Sequence, residues 1–75
     1  MLIQRIRELN RATPFEPYSV RVTNGSVYPV PHPDFILVSP KGGWVDIADE
    51  NDNAHFISAI HIMEVILQGA RSGKT

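Results

Sequence analysis

An alternating segment that runs into Asn24-Gly25 constrains this chain more than any other feature of its sequence. From Tyr18 to Val22 apolar side chains alternate with polar ones, which is typical of a strand with one buried face. Asn-Gly is the strongest short-range hairpin signal, because both residues tolerate positive φ. The sequence therefore predicts an antiparallel hairpin over YSVRVTNGSVYPV, residues 18–30.

Two registers of this hairpin are open. A two-residue turn sets Val22 opposite Val27, whereas a three-residue turn with a glycine bulge sets Val20 opposite Tyr28. The second register places the apolar residues of both strands on one face, and face assignment is what fixes the register of a half-buried strand. We therefore expect the three-residue turn.

A short amphipathic helix is predicted before the hairpin. Over residues 2–12 the apolar side chains recur at helical spacing. They are Leu2, Ile3, Ile6 and Leu9. Thr13-Pro14 ends the pattern, because the residue before a proline is pushed out of the helical region. A helix this short must dock on other elements to be stable.

Prolines and glycines divide the middle of the chain. The segment PVPHP, residues 29–33, holds three prolines, which cannot donate to a strand ladder, so the second strand ends there or lies on an edge. FILVS and WVDIA follow as strands on either side of a glycine turn, and DENDN, residues 49–53, reads as an exposed loop. The strands predicted this way span about 18–23, 26–31, 35–39 and 44–48.

The stretch AHFISAIHIMEVILQG, residues 54–69, fits two structures. Its polar residues recur every three or four positions, which indicates one helix over 54–68 with Gly69 as its stop. Its many β-branched residues favour strands instead, and the antiparallel sheet before it needs a closing strand. The local pattern leaves both structures open.

The size and composition of the chain bound its class. Its 75 residues predict one domain over 1–69 and a disordered tail over 70–75. With no cysteine, disulfides and thiolate metal sites are excluded, so self-association is the expected way to add buried surface to a small domain. The formal net charge of −1 predicts no pull toward nucleic acid or anionic membrane. No apolar run reaches the roughly 18 residues of a membrane span, and we expect a soluble, cytoplasmic protein.

Two proline-rich segments, TPFEPYSVRVTNG and VPHPDFILVSPKGG, carry a resemblance to a known family. Together they resemble a family of short, uncharacterised bacterial proteins. The matching positions are Pro14, Phe15, Pro17, Tyr18, Asn24, Gly25, His32, Pro33, Asp34, Phe35, Ser39 and Pro40. The resemblance implies a mainly β fold, in which an N-terminal helix precedes a five-stranded, strongly bent antiparallel barrel of the Sm-like or SH3 type. It implies strands near 54–58 and 62–67, and no activity.

The resemblance also implies how copies of the chain would meet. From Phe56 to Leu67 only three residues are polar, so a strand there is apolar on both faces. An exposed apolar edge strand invites pairing with another chain. In Sm-like rings the last strands of neighbouring subunits pair edge to edge. We therefore expect a homo-oligomer that assembles through the C-terminal strands, as a ring or as a dimer.

The final residues, GARSGKT, look like the end of a phosphate-binding loop but do not complete one. Only three residues separate Gly69 from Gly73 where the motif needs four, and we expect no helix after Thr75 to hold an anion. We predict no nucleotide or other cofactor.

No pattern of ligands or nucleophiles predicts chemistry. His55 and His61 are six residues apart, which does not align them on one helical turn, and we predict no metal site. The acidic loop lacks the mid-loop glycine and distal glutamate of a calcium loop. No serine has a base that the sequence places beside it, and there is no cysteine nucleophile. We expect no catalytic residues and no enzyme.

The predicted function is that of a non-catalytic binding or scaffold module. His32, Asp34, Lys41 and Trp44 are the predicted contacts for a ligand or partner, because they lie in loops at the rim of the implied barrel. Trp44 is either a partner anchor or a core residue, and core packing is the preferred interpretation. The alternative function is an Sm-like RNA-binding ring. The acidic run after Asp46 departs from the basic, glycine-containing loop of RNA-binding members, so RNA is not favoured.

Overall fold

The computed structural model of the chain describes residues 2–67. One helix and six strands follow each other along this part of the chain. They are α1 (Leu2–Arg11), β1 (Tyr18–Val22), β2 (Val27–Val30), β3 (Ile36–Val38), β4 (Trp44–Ala48), β5 (Ala54–Ser58) and β6 (Ile62–Leu67). Short 3-10 turns, Pro33–Phe35 and Ala59–His61, lie between β2 and β3 and between β5 and β6. The fold is mainly β, as the sequence predicts.

The N-terminal helix docks through the face that the sequence predicts. Ile3, Ile6 and Leu9 are buried, at the spacing that brings residues onto one side of a helix. Ile6 is completely enclosed. A hydrogen bond of 2.6 Å from the Tyr18 hydroxyl to Asn10 Oδ1 joins the last turn of α1 to the start of β1. The helix is therefore held by apolar packing and by a polar link at its C-terminal end.

The hairpin has the three-residue turn. Tyr18 lies opposite Val30 and Val20 opposite Tyr28, which confirms the expected register. Gly25, at φ 93°, occupies the left-handed region that closes such a turn, and its N–H donates to the Val22 carbonyl at 2.9 Å. The chemistry of Asn24-Gly25 and the burial of one strand face therefore agree on a single pairing.

The six strands form two three-stranded antiparallel sheets. The first sheet has the order β2-β1-β6 and the second β3-β4-β5. The chain passes from one to the other through the proline-rich segment between β2 and β3, where ladder pairing is interrupted. Within residues 2–67 the strand pairing gives two sheets and no closed barrel, so the five-stranded barrel is not confirmed.

The stretch after residue 53 is two strands, and the alternative helix over 54–68 is wrong. β5 pairs with β4 and β6 pairs with β1, each antiparallel. The polar residues recur at helical spacing because two short strands are joined by a 3-10 turn that contains His61. Tertiary pairing therefore overrides a pattern that is helical only by coincidence. The tail predicted over 70–75 lies outside the described residues.

The core fills the space between the two sheets and the helix. Its buried side chains come from α1 and from the inward-facing positions of both sheets. They are Ile3, Ile6, Leu9, Tyr18, Val20, Val22, Val30, Ile36, Val45, Ile47 and Ile62. Among the described residues, none belongs to a helix long and apolar enough to cross a membrane.

Candidate functional site

A rigid turn connects β3 to β4 and carries two of the predicted contact residues. The buried Ser39 hydroxyl accepts hydrogen bonds from the backbone N–H of Gly43 at 2.8 Å and of Trp44 at 3.2 Å. Gly42, at φ 77°, takes the left-handed conformation that the reversal requires. Side-chain capping of this kind fixes the path of the turn. Lys41 lies exposed within it, and Trp44 begins β4.

The helix holds this turn from outside. Arg7 Nη2 donates to the carbonyl oxygens of Ser39 and Pro40, both at 3.0 Å. A Cβ atom on Gly42 would lie 3.1 Å from Ile3 Cγ2, so the turn packs closely on the helix. On its other side, the Gly43 carbonyl accepts from the N–H of Ala59 at 2.9 Å. The turn is therefore a fixed projection of the fold.

One face of the second sheet points away from the core, and we call it the outer face. It is formed by alternate residues of β3, β4 and β5. They are Leu37, Trp44, Asp46, Ala48, Ala54, Phe56 and Ser58. The Leu37 side chain is 58% exposed and Phe56 is 70% exposed. The rings of Trp44 and Phe56 meet edge to face with centroids 5.7 Å apart. This is an apolar, aromatic surface open to solvent.

Trp44 is exposed, so the core-packing interpretation of this residue is wrong. It retains 39% of its accessible surface. Val45 and Ile47 are the buried residues of β4, and the period-two alternation of a strand then turns Trp44 outward. The outward position of Trp44 could have been predicted from the sequence WVDIA, because its two β-branched residues, Val45 and Ile47, are the ones that face the core.

Asp46 is the one charged residue on the outer face. The strand register places Leu37 and Phe56 directly across from it on either side. Its Oδ1 atom is shielded from solvent and has no hydrogen-bond partner in the part of the chain that the structure describes. A buried acceptor without a donor is unfavourable. Because Oδ1 is shielded, only the other carboxylate oxygen, Oδ2, can meet a donor from outside the chain.

A shallow cavity of about 260 Å³ continues the outer face beyond Asp46. The small side chains of Ala48 and Ala54 line it, together with Leu37 and Phe35. Asp34, Asp52 and Asn53 also contribute to its lining. The cavity is therefore apolar on some walls and acidic on others.

The four predicted contact residues lie in two separate places. Lys41 and Trp44 share the turn before β4. His32 and Asp34 lie exposed around the Pro33–Phe35 turn, where Asp34 lines the cavity beside Ala48 at the opposite end of β4. The His32 ring faces Phe35 with centroids 6.2 Å apart. The four residues do not form one site, although the outer face extends between the two pairs.

A second polar arrangement supports the loop between β4 and β5. Asp49 Oδ1 accepts from the backbone N–H of Asn51 and Asn53, and Asp49 Oδ2 lies 2.9 Å from His55 Nε2. The hydrogen bond to His55, with those to Asn53 and Asn51, lowers the pKa of Asp49 to about 2. The His55 ring also contacts Tyr28, with centroids 4.9 Å apart. Every group in this arrangement shapes the loop.

Within residues 2–67 no three histidine, cysteine or carboxylate side chains converge as ligands for a metal. Asp49 and His55 form a pair without a third ligand, and His61 Nδ1 lies 3.4 Å from the Thr23 hydroxyl instead.

Comparison of the chain with family models, curated proteins and solved structures finds no match. The resemblance to short bacterial proteins with an Sm-like fold therefore stays a prediction.

Sequence reasoning missed three of the features described above. The sequence marks the stretch that begins at Phe56 as apolar, but the exposure of Phe56 itself depends on which of two structures the stretch after residue 53 adopts. The capping role of Ser39 and the pairing of Asp49 with His55 depend on the path of the chain through turns. The spacing of an Asp followed by Asn two and four residues later is a sequence signal for the loop that Asp49 closes.

Proposed function

We propose that this chain is a non-catalytic binding or scaffold module that self-associates through its C-terminal strands. The observation that carries the proposal is the exposure of large apolar side chains along the segment from β5 to β6. Phe56 is 70% exposed, Ile60 82% and Met63 58%. Apolar surface concentrated on edge strands favours contact with another chain.

The strand order supports pairing at these positions. In residues 2–67, β5 pairs only with β4 and β6 only with β1, so each presents one open backbone edge. The Thr23 N–H donates to the His61 carbonyl, whereas Val22 bonds across to Ser26. Backbone N–H and C=O groups point to alternate sides along a strand, so the pairing with β1 turns the groups of Glu64 toward β1. The groups of Val65, the next residue, then point toward the open edge of β6. An antiparallel or parallel strand from a second copy would satisfy them.

The finer fold assignment, an Sm-like barrel, belongs to the same proposal. It is supported by the break at Pro33–Phe35, because β2 and β3 can be regarded as two halves of one bent strand. The orders β6-β1-β2 and β3-β4-β5 then share that strand, and the chain has five strands instead of six. In such a fold the β5 edge of one subunit would meet the β6 edge of the next.

Edge variants test the self-association. Met63→Lys places a charge on an exposed position of β6, where it disfavours strand pairing at little cost to the monomer. Val27→Lys is the matched control, because Val27 is 44% exposed on β2, the other edge of the same sheet. Size-exclusion chromatography with light scattering should show a smaller assembly for Met63→Lys alone. Equal masses for both variants and the wild type would remove the C-terminal strands from the interface.

RNA binding is the second candidate function. Its support is the exposed Trp44 ring beside Lys41, since aromatic side chains next to cations stack single-stranded bases. Asp46 lies on the same face and opposes a polyanion. Fluorescence anisotropy of a labelled oligouridine should then rise on binding and fall steeply with salt. The absence of salt-sensitive binding at low ionic strength would eliminate this candidate.

The turn from Lys41 to Trp44 is the proposed contact region for a partner, with His32 and Asp34 as a separate second region. The support for the first is its rigidity, because Ser39 and Arg7 fix its path. A preformed projection loses little conformational freedom when a partner binds.

A further inference from the structure

We propose that the outer face of the second sheet binds an arginine side chain of a partner protein, with the guanidinium against the Asp46 carboxylate and beside the Phe56 ring. This inference specifies the kind of partner that the binding module takes, and it therefore rests on the binding function proposed above. It does not depend on self-association.

Asp46 has no hydrogen-bond donor among its cross-strand neighbours on the outer face. Cross-strand neighbours on one face of a sheet lie close enough for their side chains to touch, and those of Asp46 are Leu37 and Phe56. Neither can donate a hydrogen bond. The shielded Oδ1 atom consequently has no partner within residues 2–67. The other oxygen, Oδ2, is the one that can meet an incoming donor.

Three arginines of the described chain are engaged elsewhere. Arg7 donates to two carbonyl oxygens of the turn before β4, and Arg21 pairs with Glu64 at 2.7 Å. Arg5 lies 3.5 Å from Glu8 on the helix surface. Asp46 forms no ion pair among the described residues. An acidic group set in an apolar face is complementary to a positive side chain that arrives with apolar neighbours.

Arginine fits this face better than lysine or a metal ion. Its planar guanidinium offers paired N–H donors to a carboxylate and stacks on aromatic rings, whereas an ammonium is compact and strongly hydrated. Phe56 offers an exposed ring beside Asp46, and Trp44 extends the aromatic surface. A metal would need several ligands converging, and this row has one carboxylate.

The cavity beyond Asp46 sets the scale of the ligand. Its volume of about 260 Å³ is below the roughly 300 to 1,000 Å³ of small-molecule pockets, so it suits one side chain of a larger partner. Asp34 and Asp52 in its lining add negative charge. Residues flanking the arginine in the partner would pack on Leu37 and Phe56 of the outer face.

The test uses two capped tripeptides, acetyl-Val-Arg-Val-amide and its counterpart with citrulline, which has the same shape but no charge. Two-dimensional ¹⁵N NMR spectra of the full chain follow the Trp44 indole N–H and the amides of Leu37, Asp46 and Phe56. We expect saturable shifts with the arginine peptide at a dissociation constant on the order of 1 mM, and binding about tenfold weaker with citrulline.

Variants assign the binding to the outer face. Asp46→Asn keeps the size of the side chain and should weaken binding of the arginine peptide about tenfold. Phe56→Leu removes the ring at an exposed position and should weaken it about threefold to tenfold, which keeps the test valid if the first variant fails to fold. Glu16→Gln removes the same charge outside this face and should bind like the wild type.

Several results would overturn the assignment. They are equal binding of both peptides, shifts that map away from the outer face, unchanged binding by Asp46→Asn, or no shift at about 20 mM peptide. Oligouridine binding to this face without any response to the arginine peptide would assign the face to RNA instead. Sedimentation velocity on the same samples measures self-association separately. A monomer that binds the arginine peptide would refute only the proposed self-association. An oligomer that does not bind the peptide would refute only this inference.

Discussion

Replacing Ser39 by alanine should destabilise the protein by about 2 kcal/mol. Ser39 is 4% exposed, and its hydroxyl accepts two backbone hydrogen bonds, from Gly43 at 2.8 Å and from Trp44 at 3.2 Å. Each such bond contributes about 0.5–1.5 kcal/mol net, and its loss leaves two donors without their acceptor. A domain of this size has a total stability on the order of 5–10 kcal/mol, so the expected loss is a large fraction of it.

Urea denaturation followed by far-ultraviolet circular dichroism measures this loss. For a small domain the denaturant slope is about 1 kcal/mol per molar, so the midpoint should fall by about 2 M. Wild type and variants must be compared at one protein concentration, because self-association contributes to apparent stability. Trp44 fluorescence gives a second probe of the same turn.

Ser58→Ala is the matched control for Ser39→Ala. Ser58 lies exposed on β5 opposite Trp44, and its side chain makes no capping hydrogen bond. Its replacement should change stability by less than about 0.5 kcal/mol. If Ser39→Ala unfolds at the wild-type midpoint, or if Ser58→Ala is equally damaging, the capped turn is not what holds β3 to β4.

Three further predictions concern the helix link, the exposed aromatic pair and the acidic loop. Tyr18→Phe should cost about 1 kcal/mol in urea denaturation, because it removes the 2.6 Å hydrogen bond to Asn10 while keeping the buried ring; no change in midpoint would contradict that link. Trp44→Ala should cost about 2 kcal/mol, because the residue is 39% exposed and its ring meets Phe56 edge to face, and a loss of about 5 kcal/mol would place Trp44 in the core after all. The folded-state pKa of Asp49 lies near 2, below its ordinary value of 3.8, so the stability that this carboxylate contributes should be present above about pH 4 and lost as pH falls toward 2; an Asp49→Asn variant with the same acid sensitivity as the wild type would refute this.

The hairpin and the strands around it followed from local chemistry. Asn24-Gly25 set the turn, and burial of one face set the pairing of Val20 with Tyr28. β4 was equally clear, because glycines precede it and an acidic loop follows. These elements were predictable because each depends on residues that are close in sequence.

Features that depend on tertiary contacts were less accessible. The stretch from Ala54 to Leu67 has a helical spacing of polar residues, and only pairing with β4 and β1 decides that it forms two strands. Core packing is the preferred sequence-based interpretation of Trp44, although Val45 and Ile47 are the residues of β4 that are buried. The isolation of Asp46 between Leu37 and Phe56 requires the register of three strands, which the sequence alone does not supply.

The central proposal is that the chain acts as a self-associating binding module, and native mass spectrometry of the unmodified protein tests it most directly. The chain has a mass of 8.4 kDa. Pairing at the open edges of β5 and β6 predicts an assembly of two or more chains, whose mass is the corresponding multiple of this value and which persists at micromolar concentration. A closed ring would appear as one discrete multiple, because each subunit offers one edge of each kind. A single species at 8.4 kDa over the whole concentration range would contradict the proposal.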